Sequence, residues 1–422
     1  MAETVYSTDL MRRNVYNSIY YGILGMVLIT ISILAIINMD TFLMQTFDVL
    51  GWILIINGFH GIGVYFRRND KVNLINIAGN IILGIFMVIY TDIPIRLFFV
   101  MFAIYITLNG IFIFISYINY KRDLVNKTFR VLCVAIFMIV YGLALLLGKY
   151  VDGSEMMLFV GIYGLLLGIN YLTDAVFVIV PQKHKDNLKR RIRISVPTLI
   201  STWMPKIMMD YINEKLAIEP RENFLDNRDQ VDIEIFIHVS PDGFGTIGHC
   251  DICIGEEVIS YGNYDHDSIR LFELIGDGVL FFAPRETYIP FCIETDNKTI
   301  FSYGLRLTSK QLESVQEEIK KLKEKTVTWY PNSYYDSKCL DDYSSRLYLR
   351  TGAKFYKFKR GRFKTYFVFG SNCVKLAETI MGKAGLDIID LNGIISPGTY
   401  QNYLEMEYQR ANSIVVCKNI QQ

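Results

Sequence analysis

The sequence lacks both a marked net charge and a pairing pattern among its cysteines. Its 422 residues carry 43 lysines and arginines against 42 aspartates and glutamates, which gives a formal net charge of +1. A nucleic-acid-binding protein is expected to show a basic surplus, so we expect no nucleic-acid partner. The seven cysteines are odd in number and scattered. This distribution is typical of a reducing compartment and not of a disulfide-stabilised secreted domain.

Apolar residues are in excess, and the excess lies in the first 180 positions. Hydrophobic residues make up 51% of the chain, and the mean hydropathy is +0.26. Six nearly uncharged runs cover roughly residues 18–38, 47–66, 73–90, 93–118, 130–148 and 156–180. Each run approaches the ~20 residues that cross a bilayer, so we predict six transmembrane helices. The first run follows Arg12 and Arg13 and has no small-residue cleavage site, which argues against a cleaved signal peptide.

The basic residues alternate between the segments that flank these runs. Lysines and arginines occur at 12–13, 67–71, 121–127 and 183–193, whereas the other loops, "NMDTF", "TDIPIR" and "GKYVDGSE", carry almost none. Basic loops stay on the cytoplasmic side of a membrane. We therefore expect a multi-pass protein of a bacterial-type inner membrane, with both termini cytoplasmic and the lipid bilayer as a partner.

A repeated pattern accompanies the runs. The segments "LIINGFHGIGVYFRR", "ITLNGIFIFISYINYKR" and "LLLGINYLTDAVFVIV" fall at similar places in three successive helical hairpins, and Asn57-Gly58 recurs as Asn109-Gly110. Over roughly residues 15–180 this pattern resembles the HdeD family of small bacterial membrane proteins, which is linked to acid resistance in enterobacteria. The resemblance implies a fold and no chemistry. Within the last hairpin, Gly164 and Gly168 form a small-xxx-small pair that favours helix packing.

The chain divides into a membrane domain (1–182), a basic and interfacial linker (183–230) and a second domain (231–422). The linker begins with the basic segment "PQKHKDNLKRRIRI" (181–194). Its charges are explained by the positive-inside rule, and contact with anionic headgroups is a further interpretation. Residues 195–216 are apolar but interrupted by Pro197 and Pro205. They are either an interfacial segment or a core element of the second domain.

From Val231 onwards, short alternating runs replace the long apolar ones. "VDIEIFIHVS" places Ile233, Ile235 and Ile237 on one face, which is typical of a strand. "HCDICI" and "VISYGN" read as a hairpin around "GEE". Residues 309–325 predict an amphipathic helix with Ser309 as a candidate cap, and residues 353–369 predict two strands around Arg360-Gly361. The second domain is therefore of the α+β class.

The segment "FGSNCVKLAETIMG" (369–382) places Cys373 in the first turn of a helix that follows a strand-like stretch. A helix N-terminus carries free backbone N–H groups and a partial positive charge, which together favour the thiolate form of a cysteine. Ser371 or Asn372 is available as the helix cap. The backbone N–H of Cys373 can also face an oxyanion. Cys373 is therefore a candidate nucleophile that needs a base nearby.

His249 is the candidate base. It begins the strand after the glycine-rich turn "DGFGTIG", and alternation places it on one face with Asp251 and Cys253. If "GEE" is a three-residue turn, Asn263 falls directly opposite His249 and becomes the leading candidate for the residue that orients the imidazole. Ser260 is the diagonal alternative, and a slip of one residue would change the choice.

The order of these motifs resembles a circularly permuted papain-like domain. "GHCDICIGEEVISYGN" precedes "GSNCVKLAETI", as the histidine strand precedes the cysteine helix in permuted NlpC-like and lecithin–retinol-acyltransferase-like thiol enzymes. Over about 231–420, the resemblance implies a permuted papain fold with Cys373 as nucleophile and His249 as base. Members often carry His, Glu or another polar group at the third position, whereas this chain has neither His nor Glu between Ser260 and Asn263.

Other polar groups favour structural interpretations. Cys250 and Cys253 lie on opposite faces of one strand and no second cysteine pair has finger spacing, so we expect no zinc site. His266 reads as a loop residue. The basic stretch "FYKFKRGRFK" (355–364) is either a solvated hairpin face or a contact for headgroups or an acidic substrate.

The sequence therefore predicts a membrane-anchored cytoplasmic thiol hydrolase or acyltransferase that acts on an amide or ester. We expect no cofactor and no metal, and the position next to the bilayer favours a membrane-borne lipid or peptide substrate, although the sequence does not identify it. The alternative is a non-catalytic stress-response or transport protein whose second domain binds or senses a ligand.

Overall fold

A computed structural model of the chain describes residues 2–68, 74–147, 153–179, 202–218, 231–241, 243–385, 396–408 and 414–422. The chain divides into two compact units. One comprises residues 22–111 and 133–172, and the other comprises residues 1–21, 112–132 and 173–422. Most of the predicted linker, at 183–201 and 219–230, lies outside the described residues, including the basic segment and Pro197.

Helices cover all six apolar runs. They are α1 (Ala2–Ile37), α2 (Met39–Arg68), α3 (Leu74–Ile89), α4 (Asp92–Arg122), α5 (Phe129–Leu147) and α6 (Gly153–Ile179). Among the described residues, four stretches are long and apolar enough to cross a membrane: Ser18–Ile37, Thr41–Phe66, Asp92–Arg122 and Phe129–Leu147. The apolar stretches Leu74–Ile89 and Met157–Thr173 are shorter. The N-terminal region is therefore helical and of membrane type.

Small residues bring α1 and α6 together, as the glycine pair in the sequence predicts. A methyl group on Gly164 would lie 2.2 Å from Ser32 Oγ, and one on Gly168 would lie 2.7 Å from Ile29 Cγ1. Such close backbone approach is the usual reason for small residues between membrane helices.

The rest of the described chain forms an antiparallel sheet domain. Its strands are β1 (Ile233–Val239), β2 (His249–Ile254), β3 (Glu257–Gly262), β4 (Ile275–Asp277), β5 (Val279–Pro284), β6 (Thr299–Leu305), β7 (Thr326–Trp329), β8 (Lys354–Phe358), β9 (Thr365–Phe367) and β10 (Val415–Gln421). Eight of them form one sheet in the order β10-β6-β1-β2-β3-β5-β8-β7, and β4 pairs with β9. The centre of the large sheet is therefore built from β1, β2 and β3.

Helices lie along the same part of the chain. They are α7 (Met204–Ile218), α8 (Arg285–Pro290), α9 (Ser309–Glu324), α10 (Asn332–Tyr335), α11 (Tyr343–Thr351), α12 (Cys373–Met381) and α13 (Pro397–Tyr408). Shorter turns cover Gly243–Thr246, His266–Ser268, Phe291–Thr295 and Gly382–Ala384. Met209 of α7 is buried in the core of the sheet domain, so α7 is a core element.

Both faces of the large sheet are covered. Ile235, Ile252 and Phe301 pack on one face with residues of α9, α12 and α13. Phe236 and Cys253 pack on the opposite face with residues of α8 and α11. All seven residues of β1 are consequently buried, although its isoleucines alternate with other residues.

Two local predictions are wrong. The strands β8 and β9 do not form a hairpin, because β8 pairs with β5 and β7 whereas β9 pairs with β4. The helix α9 is capped by Thr308 and not by Ser309, since the Thr308 side chain and Gln311 form a reciprocal capping box.

Candidate active site

Cys373 is the first residue of α12, as the sequence predicts. The preceding Asn372 caps the helix: its side chain accepts a hydrogen bond from Lys375 N at 2.9 Å and donates to Val368 O at 2.8 Å. These two bonds fix the thiol where β9 leads into the helix. Cys373 itself is only 3% exposed.

His249 begins β2, and one of its ring nitrogens lies within a cluster of polar groups. The Nε2 atom is 2.9 Å from Asp251 Oδ1, from Ser260 Oγ and from Tyr264 OH. Ser260 Oγ and Tyr264 OH are themselves 2.6 Å apart. Three polar side chains therefore surround Nε2 of His249.

The imidazole of His249 and the thiol of Cys373 interact directly. Burial opposes protonation of His249, but charge interactions with Cys373 and Asp251, and hydrogen bonds to both, outweigh the effect of burial. Together they raise the pKa of His249 to about 10. The structure therefore brings the predicted nucleophile and base into direct contact.

The carboxylate of Asp251 is the third group of this cluster, and its role was not predicted from the sequence. Its side chain has no solvent exposure. Its Oδ2 atom lies 2.8 Å from His238 Nε2 and accepts a 2.6 Å hydrogen bond from Tyr288 OH. Burial would raise the pKa of Asp251, but the neighbouring His249 and His238 hold it well below its usual range.

His238 lies beside this carboxylate and was also missed. It pairs with His249 across β1 and β2, and their ring centroids are 6.2 Å apart. Burial lowers the pKa of His238, although Asp251 opposes the effect. His238 is therefore a neutral partner of Asp251. For Asp251, the signal in the sequence was strand alternation, which places Asp251 two residues beyond His249 on the same side of β2.

Asn263 is not brought to the imidazole. The turn between β2 and β3 contains two residues and not three, because Ile254 pairs with Glu257 and Gly255 takes the left-handed conformation at φ +57°. The register therefore shifts by one residue. Asn263 Nδ2 instead donates to Glu273 O at 2.8 Å, whereas the alternative, Ser260, contacts the imidazole.

Tyr366 of β9 covers the thiol. Its hydroxyl hydrogen-bonds with the sulfur and with the backbone N–H of Cys373. Burial, followed by the negative charge of Cys373, raises the pKa of Tyr366 well above its ordinary value. The phenol therefore stays protonated, and its oxygen accepts a hydrogen bond from the backbone N–H of Cys373.

The other cysteines and the histidine considered above, Cys250, Cys253 and His266, do not belong to a metal-binding group in the described part of the chain. Among the described residues, no group of three or more His, Cys, Asp or Glu side chains is arranged to hold a metal ion. Cys250 and Cys253 are buried in the cores on opposite faces of the sheet. His266 is exposed in a short helical turn.

The chain is thus a membrane protein whose sheet domain carries a Cys–His–Asp cluster. Residues 23–79 and 78–147 match a family described as a short repeat of unknown function (DUF308). The N-terminal region thus contains HdeD-like DUF308 repeats, in two matched copies. No curated protein and no solved structure matches the chain.

Proposed function

We propose that this chain is a membrane-anchored thiol enzyme that transfers or hydrolyses an acyl group through Cys373, His249 and Asp251. The observation that carries the proposal is the position of His249 between the thiol and a fully buried carboxylate. A nucleophile, a base and a group that orients the base define this class of site.

In the first step, the Cys373 sulfur attacks the carbonyl carbon of an amide or ester, and a C–S bond forms. The backbone N–H of Cys373 stabilises the oxyanion once substrate displaces the Tyr366 oxygen. The His249 imidazolium gives its proton to the leaving nitrogen or oxygen, the C–N or C–O bond breaks, and a thioester remains.

In the second step, water, an amine or an alcohol attacks the thioester carbon. His249 takes the proton of the attacking group, the C–S bond breaks, and the thiolate–imidazolium pair is restored. Asp251 keeps its charge throughout, because its role is to hold the imidazole and to stabilise the imidazolium.

The finer architecture belongs to the same proposal. The chain order of the His249 strand, its partner strand and the Cys373 helix supports a permuted papain-like domain, with Asp251 on the histidine strand itself as a departure. Alternating basic loops support six membrane spans, an inner-membrane location and cytoplasmic termini. A lipid or peptide held at the bilayer is the substrate that this anchoring favours.

The test is acylation of the full-length protein by a soluble activated ester. We expect a thioester on Cys373, detected by peptide mass mapping and released by hydroxylamine, followed by turnover. Cys373→Ala should lose both signals, whereas Cys339→Ala, which removes a partly exposed cysteine elsewhere, should keep them. Acylation that survives in Cys373→Ala would refute the assignment.

A second candidate function is ligand sensing without turnover. The specific observation that favours it is the burial of the thiol beneath Tyr366. Under this function the ester would label Cys373 once and the thioester would persist without release. A steady rate of product release over many equivalents per protein excludes it.

A further inference from the structure

The loop Arg270–Ile275, which leads into β4, carries two apolar side chains with no covering contact. Leu271 is 59% exposed and Phe272 is 88% exposed. In the described part of the chain, no other large apolar side chain reaches the exposure of Phe272, including those on the membrane helices. Neighbouring apolar side chains that are this exposed are typical of a surface that contacts a membrane or another protein.

The loop holds these side chains outward in a fixed conformation. Leu271, Phe272 and Glu273 have φ angles of 50°, 55° and 68°, which place three successive non-glycine residues in the left-handed region. The base is closed by two hydrogen bonds between Arg270 and Ile275, of 2.8 and 3.2 Å. Surrounding contacts must maintain such a conformation, since it is unfavourable in isolation.

One of these contacts comes from Asn263, whose side chain donates to Glu273 O. Another is the hydrogen bond from Val368 N to Leu274 O at 3.0 Å. Val368 lies between β9 and the Cys373 helix. The loop is consequently fixed to the segment that carries the nucleophile.

That segment lies against the end of a membrane-type helix. The ring of Phe369 stacks on Phe112 of α4 at 4.2 Å between centroids, and Phe367 meets the same ring at 6.3 Å. Phe112 lies six residues before Ile118, where the apolar run of α4 ends. This corresponds to about 9 Å along the helix axis. The segment therefore contacts a part of α4 that is still apolar.

Basic residues surround this end of α4, as at a cytoplasmic membrane surface. Arg122 Nη2 donates to Thr365 Oγ1 at 2.7 Å, and the Arg362 guanidinium lies 5.6 Å from the centre of the Tyr120 ring. Lys357 is different, because it is ion-paired with Asp265 and Asp277. It neutralises two carboxylates near the loop and is not free for a headgroup.

We propose that Leu271 and Phe272 insert into the bilayer surface beside α4, so that the lipid bilayer is what covers this loop. Its attachment to Val368 then holds the segment before Cys373 at the membrane surface. The proposal rests on the membrane-type helix and the loop, and it does not depend on the thiol chemistry.

The test uses the full chain in nanodiscs, with Trp52, Trp203 and Trp329 replaced by Phe. Phe272→Trp then provides the only tryptophan, and Tyr335→Trp serves as the matched control, because Tyr335 is also an exposed aromatic residue (77%) of the sheet domain. Lipids brominated near the carbonyl end should quench the emission of the Phe272→Trp variant at least twofold relative to unbrominated lipids, and this emission should be blue-shifted. The control should show neither effect.

Two outcomes would overturn the proposal. Emission and quenching equal to those of the control would show that the loop faces water. A blue shift without bromine quenching would show that protein, such as a second copy of this chain, covers the loop. Neither outcome bears on acylation of Cys373, so this test and the acylation test can fail separately.

Discussion

Two histidines share the carboxylate of Asp251, and their ionisation differs because of what else each one contacts. His249 also faces Cys373, and its pKa is raised to about 10. His238 faces the same carboxylate, but burial is the larger effect and lowers its pKa. The same carboxylate therefore supports a charged imidazole on one side and a neutral one on the other.

Replacing each candidate for the orienting group should distinguish them. Asp251→Asn should reduce the acylation rate of Cys373 by about 10²- to 10⁴-fold, because it removes the charge that stabilises the imidazolium. Ser260→Ala should have a smaller effect, since Asp251 still holds the ring. Asn263→Ala should leave the rate unchanged. Rates are measured by stopped-flow release of the ester's leaving group, and a larger loss in Asn263→Ala than in Asp251→Asn would contradict the structure.

The raised pKa of His249 predicts a pH-dependent stability. A group whose folded-state pKa exceeds its unfolded value of 6.5 stabilises the fold fully below pH 6.5, and this contribution is lost as the pH rises through about 10. The Tm difference between the native chain and His249→Gln should therefore shrink between pH 7 and pH 10. Thermal unfolding in detergent measures it, with His266→Gln as the control. A difference that grows with pH would be inconsistent with the ion pair.

At the scale of elements, a buried ion pair connects β1, β6 and α8. Arg285 donates to both carboxylate oxygens of Glu234, at 2.8 and 3.1 Å, and Ser302 Oγ donates to one of them at 2.7 Å. Both charged side chains are about nine-tenths buried. Removing one partner of such a pair leaves a buried charge without compensation.

Arg285→Met should consequently destabilise the sheet domain by about 3–5 kcal/mol. The measurement is the apparent Tm of the full chain in detergent. Lys321→Met is the matched control, because its ion pair with Glu317 is exposed, and its Tm should not change measurably. Equal Tm changes in the two variants would show that the buried ion pair contributes no more to stability than the exposed one.

The sequence predicted those elements that local pattern determines. Alternation identified β1, β2 and β3, and the cap signal at Asn372 located α12. The register of β2 with β3 could not be predicted, because it depends on whether Gly255 adopts a left-handed turn, and one residue decides whether Asn263 or another group faces His249. The pairing of β9 with β4 could not be predicted either, because the two strands are about 90 residues apart and the local sequence of a strand does not indicate which strand it pairs with.

At the scale of the whole molecule, the alternating basic loops predict where the C-terminus lies. Reporters fused after Gln422 should indicate a cytoplasmic location, with a fluorescent protein active and alkaline phosphatase inactive, because basic loops remain on the cytoplasmic side. Paired fusions to alkaline phosphatase and to a fluorescent protein measure this. A fusion after Thr91, in the poorly charged loop between α3 and α4, is the control and should give the opposite result. Phosphatase activity at Gln422 would reverse the orientation.

The separation of His249 from Cys373 along the chain has a consequence for biosynthesis. The two residues are 124 positions apart, which corresponds to about 6–25 s of translation at ordinary rates. The six apolar helices leave the ribosome before either of them. The apolar helices therefore enter the membrane before the thiol has been made, so the acyl transfer that we propose would begin only on a chain that is already in place.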